Sequence, residues 1–195
     1  MKNIAIVIFD RVEVLDFAGP FEVFAAVGDW NDANVEKFNV FTVAETADPI
    51  TAVGGLRVLP NYTYENCPAP DVIIIPGGEG TREQMKNAAL IDWVKRHEPN
   101  TTFTTSVCTG ALVMATAGLL EGVRATTHYE VYDLLEKVAP NTQVIRGVRF
   151  IDNGKIITSA GVQAGMDMSL HILARLLGDE IALMTARYIE YEWQP

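Results

Sequence analysis

Cysteine is scarce. Cys67 and Cys108 are the only two in 195 residues, too few for a disulfide framework or a zinc site. Basic charge is scarce as well: 15 Lys and Arg stand against 25 Asp and Glu, a formal charge of −10. Such a balance lacks the basic patch that a nucleic-acid surface needs, so no nucleic-acid partner is expected. No apolar run reaches membrane-spanning length, and the chain starts without a charged segment, apolar stretch and cleavage site of the signal-peptide kind. The expectation is a cytoplasmic, reduced protein with no membrane partner. Linkers, internal repeats and low-complexity segments are missing too, so residues 1–195 are expected to form one domain. What remains is 49% apolar and 21% charged, a globular composition, on a chain long enough to bury a sizeable core.

The apolar pattern alternates between strand and helix signals. Residues 4–9 and 71–75 are continuous apolar runs, as expected of strands covered on both faces. Residues 38–44 and 103–107 read as further strands, and Gly54-Gly55 as the turn of a short hairpin. Helices are expected over residues 16–27, with Pro20 early enough for its missing N–H to cost little, over 87–97 behind an Asn87 cap, and over 129–138. Short strands at 142–145 and 148–151 precede a turn at Asp152-Asn153-Gly154 and a strand over 155–159. A helix then runs to Leu177, Gly178 ends it, and Asp179 can cap a last helix. This alternation predicts an α/β sandwich, a mainly parallel, flavodoxin-like sheet with helices on both faces.

Thr104-Thr105-Ser106-Val107-Cys108-Thr109-Gly110-Ala111-Leu112-Val113-Met114-Ala115 is the stretch around which the chain is organised. Its first half reads as a strand and its second as an Ala-rich helix, with Cys108 at the corner and Gly110 keeping that corner uncrowded. A nucleophile at such an elbow projects from the top of a sheet beside unpaired helix N–H groups, which favour a thiolate. The plainer reading of Cys108 is a small buried side chain that only packs.

Ligands of such sheets sit at the carboxyl ends of the strands. The loop of residues 10–16, the turn Gly77-Gly78 and the elbow are expected to meet there. Gly77-Gly78 reads either as a tight turn or as a pair of backbone N–H groups facing Cys108, able to stabilise a developing anion. It is not a phosphate loop, because the Lys-Ser/Thr ending is missing. Asp16, in apolar company, reads either as a helix N-cap or as a partner of Cys108 that shares one charge with the thiol and carries its proton.

These residues resemble the ThiJ/PfpI superfamily of the class I glutamine-amidotransferase-like fold. The carriers are Leu15-Asp16-Phe17-Ala18-Gly19-Pro20, Ile74-Ile75-Pro76-Gly77-Gly78, Thr105-Ser106-Val107-Cys108-Thr109-Gly110, Arg124-Ala125-Thr126-Thr127-His128 and Ala160-Gly161-Val162-Gln163-Ala164-Gly165-Met166-Asp167. Thr109 stands where the superfamily's proteases and amidases carry His, and Asp16 where its parkinsonism-related and glyoxalase branches carry Glu. The chain is therefore most similar to the isonitrile hydratase branch, and nearly as similar to the sensor domain of AraC-type regulators. The hydratase likeness implies Cys108 as nucleophile, Asp16 as acid/base and Thr109 as a positioning group, with Gly77, Gly78 and His128 around a small-molecule substrate. It implies addition of water to an isonitrile through a Cys108 thioimidate, with no metal or cofactor, by a lyase that is a homodimer joined near the helix beginning at Asp16. His128 also reads as a helix-start residue that packs. His97, His171 and Cys67 are assigned no chemistry. A ligand sensor, disfavoured because no helix-turn-helix module follows before Pro195, a glyoxalase or deglycase, and a redox stress protein are the other expectations kept open.

Overall fold

The computed structural model describes residues 1–28 and 38–194. Its elements in order are β1 (Asn3–Val7), α1 (Val14–Ala25), β2 (Asn39–Ala44), β3 (Ile50–Thr51), β4 (Arg57–Val58), β5 (Tyr62–Thr63), β6 (Val72–Ile75), α2 (Thr81–Gln84), α3 (Ala88–His97), β7 (Phe103–Ser106), α4 (Gly110–Thr116), β8 (Arg124–Ala125), α5 (Tyr132–Val138), β9 (Gln143–Val144), β10 (Phe150–Asp152), β11 (Ile156–Ser159), α6 (Ala164–Leu177) and α7 (Asp179–Tyr188).

Seven strands form the main sheet in the order β10-β11-β7-β6-β1-β2-β5. Every pairing is parallel except β10 with β11. The two apolar runs become the centre: Ile4 to Val7 of β1 and all four residues of β6 are fully buried, which requires cover on both faces. α1 lies against β1, β2 and β6, and α6 against β10 and β11, with α6 also packed on both α1 and α7. α2, α4 and α5 form a second group, joined to the sheet by α4 on β6 and β7. The chain leaves β1 toward β2 on one side and returns as β6 on the other. That reversal opens a crevice at the carboxyl ends of the strands, where open α/β sheets bind ligands.

Several local expectations hold. Asn87 caps α3, its side chain accepting from the Leu90 N–H at 3.3 Å. β3 and β4 pair antiparallel through Gly54 and Gly55, at φ 79° and 88°. Others are corrected. α1 starts at Val14, so Pro20 lies inside the helix and leaves the Asp16 carbonyl without its usual donor. The cap position is Glu13, and Asp16 is the third helical residue, so Asp16 is not an N-cap. The cap of α7 is Gly178, at φ 96°, rather than Asp179. Of the aromatics along α1, Phe17 and Phe24 are buried in the core and Phe21 is half-buried. No helix among the described residues is long and apolar enough to cross a membrane.

Candidate active site

β7 ends at Ser106 and α4 begins at Gly110, so the chain turns within three residues, and Cys108 takes φ 57° to make the corner. That left-handed conformation is uncommon for a residue with a Cβ. It is held from both sides. The Cys108 N–H is shared between the Ser159 and Ala160 carbonyls at 3.2 and 3.1 Å, and the Cys108 carbonyl accepts from the Thr127 hydroxyl at 2.8 Å. Gly110 lies so close to β6 that a Cβ there would collide with the Ile75 carbonyl oxygen. Arg11 and Val162, at φ 61° and 50°, are also in the left-handed region. They lie in the loops after β1 and β11, both at this same end of the sheet.

Asp16 enters from the first turn of α1, fully buried. Its Oδ2 accepts from the Gly77 N–H at 2.9 Å, and its carboxyl lies beside the Cys108 thiol, close enough for each to shift the other's ionisation. Oδ1 is buried without a hydrogen-bond partner among the described residues. Gly77 is packed so tightly that a Cβ would fall 2.6 Å from the Thr109 nitrogen and 2.8 Å from Asp16 Oδ2.

Burial is the largest influence on both acids. It pushes Asp16 up to about 7, against the Gly77 and Cys108 hydrogen bonds, with the nearby Glu13 charge adding to the rise. Burial and then the Asp16 charge push Cys108 up to about 12, against hydrogen bonds from the Thr109 and Val162 backbone. The elbow alone therefore does not make a low-pKa thiolate, contrary to the expectation from its helix end. The pair loses one proton near neutrality and resists losing the second.

The Gly77-Gly78 turn also differs from expectation. Its amides are not free to meet a substrate: Gly77 N–H donates to Asp16 and Gly78 N–H to Thr109 Oγ1 at 3.0 Å. The Thr109 hydroxyl is placed by this contact and by the Thr81 hydroxyl at 3.0 Å. The backbone groups that do reach the sulfur belong to Thr109 and Val162. Sequence reasoning gave Val162 no role. The available signal was Gly161 beside it, a small residue opening the segment before α6.

Cys108, Thr109, Gly78, His128 and Val162 line a pocket of about 150 Å³, while Asp16 is fully buried and not on its wall. Larger hollows of about 250, 360 and 400 Å³ do not reach Cys108. His128 both caps a turn and borders the pocket. Its Nδ1 accepts from the Glu130 N–H at 3.5 Å as the cap of the turn Tyr129–Val131, and its half-buried ring faces the pocket. His97 and His171 lie elsewhere: His97 stacks on Trp93, and His171 Nε2 is 2.7 Å from Asp152 Oδ2.

A profile of the DJ-1/PfpI family matches residues 2–175. The chain belongs to the DJ-1/PfpI family. Among curated relatives it is 35% identical to isonitrile hydratase of Pseudomonas putida over 193 residues, 99% of this chain and 80% of that protein. It is 24% identical to the HTH-type transcriptional regulator GbdR of Pseudomonas aeruginosa over 191 residues, 98% of this chain but 51% of the regulator. Among solved structures, a ThiJ/PfpI family protein from Pseudomonas syringae superposes with a TM-score of 0.88 at 29% identity, covering 100% of this chain and 76% of that one. This DJ-1/PfpI chain thus has a hydratase and regulators among its relatives, and its mainly parallel sheet with flanking helices is the fold of its structural neighbours.

Proposed function

We propose that this protein hydrates isonitriles to N-substituted formamides, with Cys108 as nucleophile and Asp16 as its single acid/base group. The observation that carries the reading is the pairing of Asp16 with Cys108: a buried carboxyl, held by Gly77 and pushed up to about 7 by burial, beside a thiol at a strained elbow. The 35% identity to an isonitrile hydratase over nearly the whole chain supports the choice of substrate.

At neutral pH the pair holds one proton. In the reactive arrangement that proton is on Asp16 and the sulfur is a thiolate. The thiolate attacks the terminal isonitrile carbon, forming a C–S bond, while Asp16 gives that carbon its proton. The product is a thioimidate and an ionised Asp16. Water then adds across the C=N bond. Asp16 takes a proton from the water as its oxygen bonds to carbon, and passes that proton to nitrogen. The C–S bond breaks, the hydroxyl proton returns to Asp16, and the formamide leaves behind a thiolate and a protonated acid. Thr109 and Val162 N–H groups hold the sulfur throughout, Thr109 Oγ1 fixes the Gly78 turn, and His128 bounds the pocket. The likeness also supports a homodimer and a cytoplasmic setting as parts of the proposal.

Turnover assays with methyl-substituted and aromatic isonitriles, methylglyoxal and small amides test the reading side by side. Formamide release from isonitriles alone is expected. The match to GbdR favours one second reading, a ligand-binding site without turnover. Saturable binding of an isonitrile with no formamide would establish that reading and overturn the first.

A further inference from the structure

The walls of the Cys108 pocket carry more negative than positive charge. Glu13, Glu79 and Glu130 face it against one guanidinium, that of Arg82, and Val131 and Val162 supply apolar surface. Glu13 differs from the other two carboxylates in being half-buried, whereas Glu79 and Glu130 are exposed. It occupies the cap position of α1, three residues before Asp16, yet its side chain makes no capping hydrogen bond. Its carboxylate also has no hydrogen-bond or ion-pair partner among the described residues. Glu130, by contrast, lies 3.7 Å from His128 Nδ1. An unpaired, half-buried carboxylate beside a small cavity is not needed for the helix, and it leaves a field that no ion pair cancels and that Arg82 alone opposes among three carboxylates.

We infer that this pocket admits uncharged and cationic substrates and turns away anionic ones, and that Glu13 sets the choice. The rise in Asp16's pKa caused by the Glu13 charge places that field at the reacting pair. A substrate carboxylate in a cavity of about 150 Å³ has no room to move away from it. At the separations such a cavity allows, and with the damping of a partly exposed site, one extra like charge changes relative rates by about tenfold.

Selection among isonitriles rests on the hydration reading; selection at the thiol does not, so the experiment has two arms. In the first, Cys108 alkylation is followed by mass spectrometry with iodoacetamide, iodoacetate and 2-bromoethylamine. Each rate is divided by the same reagent's rate with 2-mercaptoethanol. The wild type is expected to disfavour iodoacetate about tenfold relative to iodoacetamide and to favour 2-bromoethylamine. Glu13→Gln should remove most of that discrimination, and added salt should narrow it. Ratios between reagents cancel any change in overall thiol reactivity, which a purely structural effect would alter alone. In the second arm, kcat/KM for isocyanoacetate relative to cyclohexyl isonitrile should rise about tenfold in Glu13→Gln. Normalised alkylation ratios that are the same in both proteins would overturn the inference. Shifted alkylation ratios without hydration of any isonitrile would sustain charge selection and sink the hydration reading. Hydration with both sets of ratios unmoved would do the reverse.

Discussion

The protein has two thiols in two unlike settings. Cys67 is half-buried in the loop after β5, with ordinary backbone geometry, its N–H bonded to the Thr63 carbonyl at 3.1 Å. Burial raises its pKa, opposed by the nearby Trp93 indole and the Arg96 charge. Cys108 is more deeply buried, and burial raises it further still. Burial therefore does not distinguish a reactive thiol from an inert one, since it works against ionisation at both. The differences are the backbone corner at φ 57°, the Thr109 and Val162 N–H groups on the sulfur, and a buried acid whose charge shifts its ionisation. No carboxyl is among the groups that shift Cys67.

The largest effect should come from exchanging the thiols' oxygen analogues. Cys108→Ser is expected to lower isonitrile turnover on the order of 10³-fold or more, because an alcohol is not ionised in this site. Steady-state kinetics with the folded variant check it.

Next comes the acid that Cys67 lacks. Asp16→Asn keeps the acceptor for Gly77 but cannot carry the proton, and should cost on the order of 10²–10⁴-fold in turnover. The same variant should be more stable than the wild type at high pH. Because folding raises Asp16 from 3.8 to about 7, the folded state holds its proton more tightly than the unfolded one. Stability is then fullest below pH ~4 and falls as pH rises to about 7, by on the order of 2–4 kcal/mol. Asn removes that loss. Thermal melts should show the variant ahead at pH 8 and level with the wild type at pH 4. Lower melting at every pH with unaltered turnover would make Asp16 structural.

A smaller effect is expected from the corner itself. Thr127→Val removes the hydroxyl that holds the Cys108 carbonyl. It should cost ~1–3 kcal/mol of stability, as a buried acceptor loses its donor, and about tenfold in turnover through misplacement of the sulfur. Thr127→Ser should restore both. The smallest effect closes the comparison: Cys67→Ser should leave kcat and KM within about twofold.

Much of this contrast was legible in the residues. The runs of β1 and β6 marked the centre of the sheet, because only strands covered on both faces are apolar at every position. The strand-to-helix switch marked Cys108, and the order of strands brought Asp16, Gly77-Gly78 and the elbow to one edge. What was not legible depended on contacts distant in sequence. The cap reading of Asp16 stayed open beside the partner reading because helix starts are uncertain by a turn, and Pro20 pointed to a later start than Val14. The Gly77 and Gly78 amides looked free because their acceptors, Asp16 and Thr109, lie 61 and 31 residues away. The elbow looked thiolate-forming because a helix end shows in the sequence, whereas the depth at which it is buried does not. Val162 left only the small residue beside it as a sign.

The central claim is that Asp16 and Cys108 ionise as a unit that loses its first proton near neutrality. The most direct measurement is the pH dependence of Cys108 alkylation by iodoacetamide, from pH 5 to 10, in the wild type and in Asp16→Asn. Loss of the first proton permits the thiolate with Asp16 protonated, whichever group formally releases it, because the two neighbouring groups oppose each other's ionisation. The wild-type rate should rise through an inflection near pH 7 and then level off. Asp16→Asn should lack that inflection and keep rising into the alkaline range, as a lone buried thiol does. The same inflection in both proteins would contradict the shared ionisation and, with it, the role of Asp16 as the carrier of the proton.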